Sequence, residues 1–197
     1  MLTEPNKGLT KLGLPRQTLS VHPQKFALWL FLGTVVMLFA ALTSAYIVKQ
    51  AHGYWLQYKL PTILWFNSVI ILLSSVTMQR AYMSAKQKKA RAFNLYMLMT
   101  LLLALVFLAG QYQTWNNLVA AGVYFVGNPA GSFLYIFTGL HAVHLISGIL
   151  AILFVWSTLW KKSMYNNPML RIEMCTTYWH FLGALWVYLF LFLQLNH

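Results

Sequence analysis

Apolar residues along this chain fall in five long blocks, without the apolar–polar alternation of strands. The blocks run from about Phe26 to Val48, Thr62 to Gln79, Phe93 to Gln113, Ser132 to Trp160 and Met174 to Leu195. A membrane-crossing helix needs about 20 mostly apolar residues, and every block falls near or above that length. In lipid the backbone has to satisfy its own N–H and C=O groups, and blocks without barrel-type alternation do so as helices. The pattern predicts an all-α bundle of five transmembrane helices. The first block is uncharged, begins 25 residues in, and is too long for the apolar core of a signal peptide, so it reads as a span. Residues 1–25 hold Pro5, Gly8, Gly13, Pro15 and Pro23 and read as a tail. Residues 26–197 read as one membrane domain, with no internal repeat.

Composition sharpens this picture. Of 197 residues 59% are apolar and 8% charged, and the formal net charge is +12. A basic excess of that size suits nucleic acid or a membrane surface. Here the basic residues lie between apolar blocks, and too little polar sequence remains for a soluble nucleic-acid module. Their distribution also predicts orientation. Lys7, Lys11, Arg16, Lys25, Arg80, Lys86, Lys88, Lys89, Arg91, Lys161, Lys162 and Arg171 fall on one side of a five-span bundle, and only Lys49 and Lys59 on the other. The positive-inside rule then places the N-terminus in the cytoplasm and the C-terminus outside, in a bacterial inner membrane. Aromatic residues at block ends read as interfacial anchors: Tyr54, Trp55, Trp115 and Tyr124 outside, and Tyr82, Trp156 and Trp160 inside.

The acids exclude most hydrolytic chemistry. There is no Asp, and Glu4 and Glu173 are the only Glu residues. A Ser-His-Asp triad, a carboxylate pair, a carboxylate cage for Mg²⁺ or Ca²⁺ and a carboxylate proton ladder all lack parts. Cys175 is alone, which excludes a disulfide within the chain and a cysteine metal site.

Polar residues inside the blocks are the candidates for chemistry, because each is costly in lipid. His141 and His144 lie one turn apart on the fourth helix, and His180 lies on the fifth. Glu173 opens the fifth helix, Gln111 and Gln113 close the third, and Asn67, Ser74 and Ser75 sit in the second. Measured from the block ends, His180 is roughly 10 Å deep and His144 roughly 18–24 Å. A metal shared by the three would have to bridge about 8–14 Å against ligand distances near 2 Å. Packing histidines, hydrogen-bonded across helices, are the expectation; one axial histidine on a haem stays open. Ala40 with Ser44, Ala41 with Ala45, and Ser147 with Ala151 repeat at four-residue spacing and predict close helix contacts.

The last two blocks carry a specific resemblance. Gly139-Leu140-His141-Ala142-Val143-His144 with Ser147-Gly148, and Glu173 followed by Thr177-Tyr178-Trp179-His180-Phe181 and Trp186, resemble haem-copper oxidase subunit III. Trp29-Leu30-Phe31-Leu32 through Tyr46, and Phe107-Leu108-Ala109-Gly110-Gln111 with Trp115, resemble the same family, from about Phe26 to the C-terminus. The resemblance implies a non-catalytic subunit of the five-helix bacterial form, without haem or copper of its own. Those groups would reside in partner subunits. It implies packing on subunit I in a complex with subunits II and IV, bound phospholipid, and support of proton uptake during aerobic electron transport. His141, His144, Glu173, Trp179, His180 and Gln111 are the polar and aromatic residues on its motifs, and Lys161, Lys162 and Arg171 are candidates for a lipid headgroup. Three family carboxylates are replaced, by Val35, Thr114 and Gly183. A quinol oxidase or nitric-oxide-reductase-associated subunit III is the nearest alternative; a stand-alone transporter and a histidine-metal membrane enzyme are more distant ones.

Overall fold

The structure, a computed structural model, describes residues 22–51, 53, 61–160 and 168–196, with the backbone alone at 158–160 and 168. Those residues form five α-helices and no strand: α1 (Pro23–Gln50), α2 (Ile63–Lys86), α3 (Ala90–Ala120), α4 (Pro129–Trp160) and α5 (Pro168–Leu195). Each is long and apolar enough to cross a membrane, so the chain is a multi-pass membrane protein. The expectations for the N-terminal tail up to residue 21, and for Tyr54, Trp55, Lys59, Lys161, Lys162, His197 and the Trp160 side chain, lie outside the described residues.

The helices outrun the apolar blocks. α2 continues through Arg80 to Lys86, α3 passes Gln113 to end at Ala120, and α5 begins six residues before Met174. Apolarity marks where a helix meets lipid, whereas the ends are decided by backbone chemistry. Pro23 and Pro129 stand at first helical positions, where the missing N–H costs nothing. Asn128 caps α4, its Oδ1 accepting the Ala130 N–H at 2.9 Å. α3 stops in a Schellman turn: Val123 N–H donates to Leu118 O at 2.9 Å and Gly122 N–H to Val119 O at 3.0 Å, with Gly122 at φ 79°. The end of α2 repeats that turn, Lys89 N–H to Ser84 O and Lys88 N–H to Ala85 O, both 3.0 Å. There the left-handed position is held by Lys88 at φ 58°, a conformation that costs a side-chain-bearing residue about 1–2 kcal/mol.

α5 is the most buried of the five helices. It packs on α2, α4 and α1; α3 packs on α2 and α4, and α1 touches only α4 and α5. Buried residues accordingly surround much of α5, including Trp179, Leu182, Leu185, Trp186, Leu189 and Phe190. On α1 they form one stripe, Leu32, Val35, Phe39, Thr43 and Tyr46. The most extensive contact is α2 on α3, where Thr77 and Thr100 share a 2.8 Å hydrogen bond and Thr100 is fully buried. Small residues let two backbones approach where no hydrophobic driving force exists in lipid. The paired small residues of α1 do something else: Ala40, Ala41, Ser44 and Ala45 are exposed, on the side away from α4 and α5.

Candidate functional site

The polar residues inside the spans form a series of layers between helices. Indole N–H groups build two of them. Trp179 Nε1 donates to Ser74 Oγ at 3.2 Å and Trp186 Nε1 to Ser68 Oγ at 3.0 Å, both buried contacts from α5 to α2. A buried indole brings a large apolar surface together with one donor that has to be satisfied. Gly148 makes room beside the first of these. A Cβ there would stand 2.8 Å from Leu182 Cδ1 and 3.2 Å from Trp179 Cζ3, so a larger residue at this place would push the Leu182 side chain aside.

His180 occupies the next site on the α2–α5 seam. Its Nε2 lies 3.0 Å from Gln79 Oε1, and its Nδ1 meets Ser75 Oγ. A carbonyl oxygen only accepts, so Nε2 carries the proton and Nδ1 accepts the Ser75 hydroxyl. His144 turns instead toward α1. Its Nδ1 donates to Leu140 O at 2.7 Å and its ring lies 5.8 Å from that of Phe39. The depth reasoning from the sequence needs correction here. Tyr178 Oη, two residues from His180, donates to His144 O at 3.1 Å and shares a 2.6 Å hydrogen bond with Ser147 Oγ. α5 starts six residues before its apolar block, so His180 lies deeper than the block implies. It is Gly148, one turn beyond His144, that stands level with Trp179 and Leu182, which keeps the two histidines about a turn apart. Direction also separates them, one facing α2 and the other α1. Among the described residues no three of His, Cys, Asp and Glu gather as a metal would require.

The third histidine stands in a distinct layer. His141 is fully buried, with its ring 5.9 Å from Phe107 and 5.0 Å from Trp186. Neither ring nitrogen finds a hydrogen-bond partner among the described residues, and the same is true of both amide atoms of Gln111 and of Asn67 Nδ2. Asn67 abuts Gly110, where an added Cβ would fall 2.2 Å from its Oδ1. One layer thus joins Asn67 and Ser68 of α2, Phe107 and Gly110 of α3, His141 of α4 and Trp186 of α5.

Glu173 is placed differently from its expectation. α5 begins at Pro168, so Glu173 is in the second turn, beyond the reach of a terminal helix dipole. Its Oε1 lies 2.7 Å from Lys25 Nζ on α1, with both side chains between a third and a half exposed. Arg171 extends over the ring of Phe154, at 5.9 Å. Gln111 and Gln113 lie within α3 and do not close it. Trp115 and Trp156, read from the sequence as interfacial anchors, are half-buried and also tie helices together: Trp115 Nε1 donates to Thr138 Oγ1 at 3.0 Å and Trp156 Nε1 to Asn94 Oδ1 at 3.2 Å. Of the positions where the resemblance puts acids, Val35 is buried in an apolar cluster with Phe39 and Leu185, and Thr114 is buried and bonded to Gly110 O at 2.9 Å. Reading the sequence missed Lys25 as the partner of Glu173 and missed Ser68 as an indole acceptor. Lys25 was counted with the tail, and a serine in an apolar block signals nothing until the tryptophan opposite is known.

Comparison with known proteins completes the picture. Residues 16–196 match the family Cytochrome c oxidase subunit III. The cytochrome c oxidase subunit 3 of Corynebacterium diphtheriae is 30% identical over 169 residues, 82% of each chain. A probable quinol oxidase subunit 3 of Staphylococcus epidermidis is 30% identical over 178 residues, 84% of this chain and 85% of its own. A cytochrome bo(3) ubiquinol oxidase subunit 3 of Pseudomonas aeruginosa is 29% identical over 175 residues, 84% of this chain and 81% of its own. With five spanning helices, the motif residues in their interfaces and a family match over nearly its whole length, the chain belongs to the cytochrome c oxidase subunit III family.

Proposed function

We propose that this chain is the non-catalytic subunit III of a respiratory haem-copper oxidase in a bacterial inner membrane, with its N-terminus cytoplasmic. The observation that carries this reading is the family match over residues 16–196. The polar interior supports a structural role: Trp179, Trp186 and His180 are taken up by bonds between helices. The chain packs on subunit I, in an assembly with subunits II and IV that holds the haem and copper. It binds phospholipid and supports proton uptake without the carboxylates replaced by Val35, Thr114 and Gly183. A cytochrome c oxidase is the first reading. A quinol oxidase is the second, supported by the Staphylococcus epidermidis relative at equal identity.

The exposed small residues of α1 supply a docking surface for subunit I. Affinity purification through a tag on this chain is expected to bring a haem- and copper-containing partner in equal amount. Ala41→Leu and Ala45→Leu should weaken that association, since overpacking costs about 1–3 kcal/mol. Recovery of the chain alone from membranes, without haem or copper, would overturn the reading. The oxidation of reduced cytochrome c against that of quinol by the purified complex separates the two forms.

A further inference from the structure

At the end of the bundle where α2 turns into α3, a cavity of about 610 Å³ opens beside α5. That volume lies within the range of small-ligand sites. Lys86, Lys88 and Lys89 line it. Its apolar part comes from Tyr82, Phe93 and Ile172. The Schellman turn sets these lysines around the mouth, with Lys88 in the left-handed conformation that glycine fills at the end of α3. Among the described residues none of the three meets a carboxylate; Glu173 is engaged by Lys25, and the only other acid of the chain is Glu4. The N-terminus of α3 borders the same cavity at Ala90, with no side-chain cap and no acid in its first turn. Its free N–H groups add positive potential to that of the lysines.

We propose that this cavity binds one anionic phospholipid, with its phosphate on Lys86, Lys88 and Lys89 and its glycerol and upper acyl segment over Tyr82, Phe93 and Ile172. The charge calls for an anion, and the floor calls for an attached apolar chain. The position, at the ends of two membrane-crossing helices, is where lipid headgroups lie. This deepens the lipid role in the proposed function and rests on the chain residing in an oxidase complex.

The test uses the purified oxidase complex in nanodiscs of phosphatidylglycerol and phosphatidylcholine, with retained lipids counted by native mass spectrometry. The unaltered complex is expected to hold a phosphatidylglycerol that Lys86→Gln/Lys88→Gln/Lys89→Gln loses. Roughly fivefold per cation makes the loss of affinity on the order of a hundredfold. Ala90→Trp keeps every charge and fills the cavity, and should lose the same lipid. Millimolar inorganic phosphate should not displace it. An unchanged lipid count in the triple variant overturns the site. Retention in Ala90→Trp reduces it to surface attraction, and displacement by phosphate reduces it to a free-anion site; either result overturns the proposal. The same spectra report whether this chain stays with the catalytic subunit, so failure of the lipid site is distinguishable from failure of the family reading.

Discussion

Lys25 on α1 and Glu173 on α5 join the ends of two helices through one ion pair, Nζ to Oε1 at 2.7 Å. It is the one acid near a span, and it meets the last cation of the stretch before the first apolar block. Both side chains are substantially exposed, so water and salt screen the pair. Glu173→Gln should lower stability by no more than about 1 kcal/mol and leave oxygen consumption and proton pumping intact. Thermal unfolding of the complex and turnover in vesicles check this. A severalfold loss of pumping in an intact complex would make Glu173 part of a proton path.

The glycine of the α2–α3 contact is more demanding. A Cβ at Gly110 would overlap the buried Asn67 side chain, 2.2 Å from its Oδ1. Gly110→Ala should destabilise by about 1–3 kcal/mol through overpacking. Asn67→Ala in the same chain should restore most of the loss. Melting temperatures of the two single variants and the double variant measure it, and a harmless Gly110→Ala would show that the helices separate freely here.

The indole bonds predict non-additive losses. Ser68→Ala leaves the Trp186 N–H buried without a partner and should cost about 1–3 kcal/mol. Adding Trp186→Phe removes the orphaned donor, so the double variant should lose less than the sum of the singles. Additive losses in that thermodynamic cycle would deny the hydrogen bond its share.

Gln111 and His141 predict the opposite. Their buried polar atoms have no partner among the described residues, so apolar replacements of similar size remove a desolvation cost. Gln111→Met and His141→Phe should leave the melting temperature unchanged or raise it. A large fall in either would mean that the group is bonded within the complex.

Orientation is checked at exposed positions on opposite ends. Gln87, in the turn between α2 and α3, and Val126, between α3 and α4, are both exposed. In sealed right-side-out cells an impermeant thiol reagent should label Val126→Cys and spare Gln87→Cys until the membrane is opened. The reverse pattern would invert the topology.

The sequence alone determines the number and class of the elements. Five blocks of apolar residues can satisfy their backbone in lipid only as helices, and that requirement is local. It likewise carries the family motifs around His141, His144, Trp179 and His180, which are strings of residues close in the chain. What it does not carry is the direction in which each motif residue faces. His144 faces Phe39 of α1 and His180 faces Gln79 and Ser75 of α2, two seams that the motif strings themselves do not distinguish. The partners of Glu173, Trp179 and Trp186 are more than a hundred residues away in sequence. Lipid exerts little hydrophobic force between helices, so their arrangement rests on close packing and on such bonds. Only the assembled bundle decides which small residue faces a tryptophan, as Gly148 does, and which faces outward, as Ala41 does.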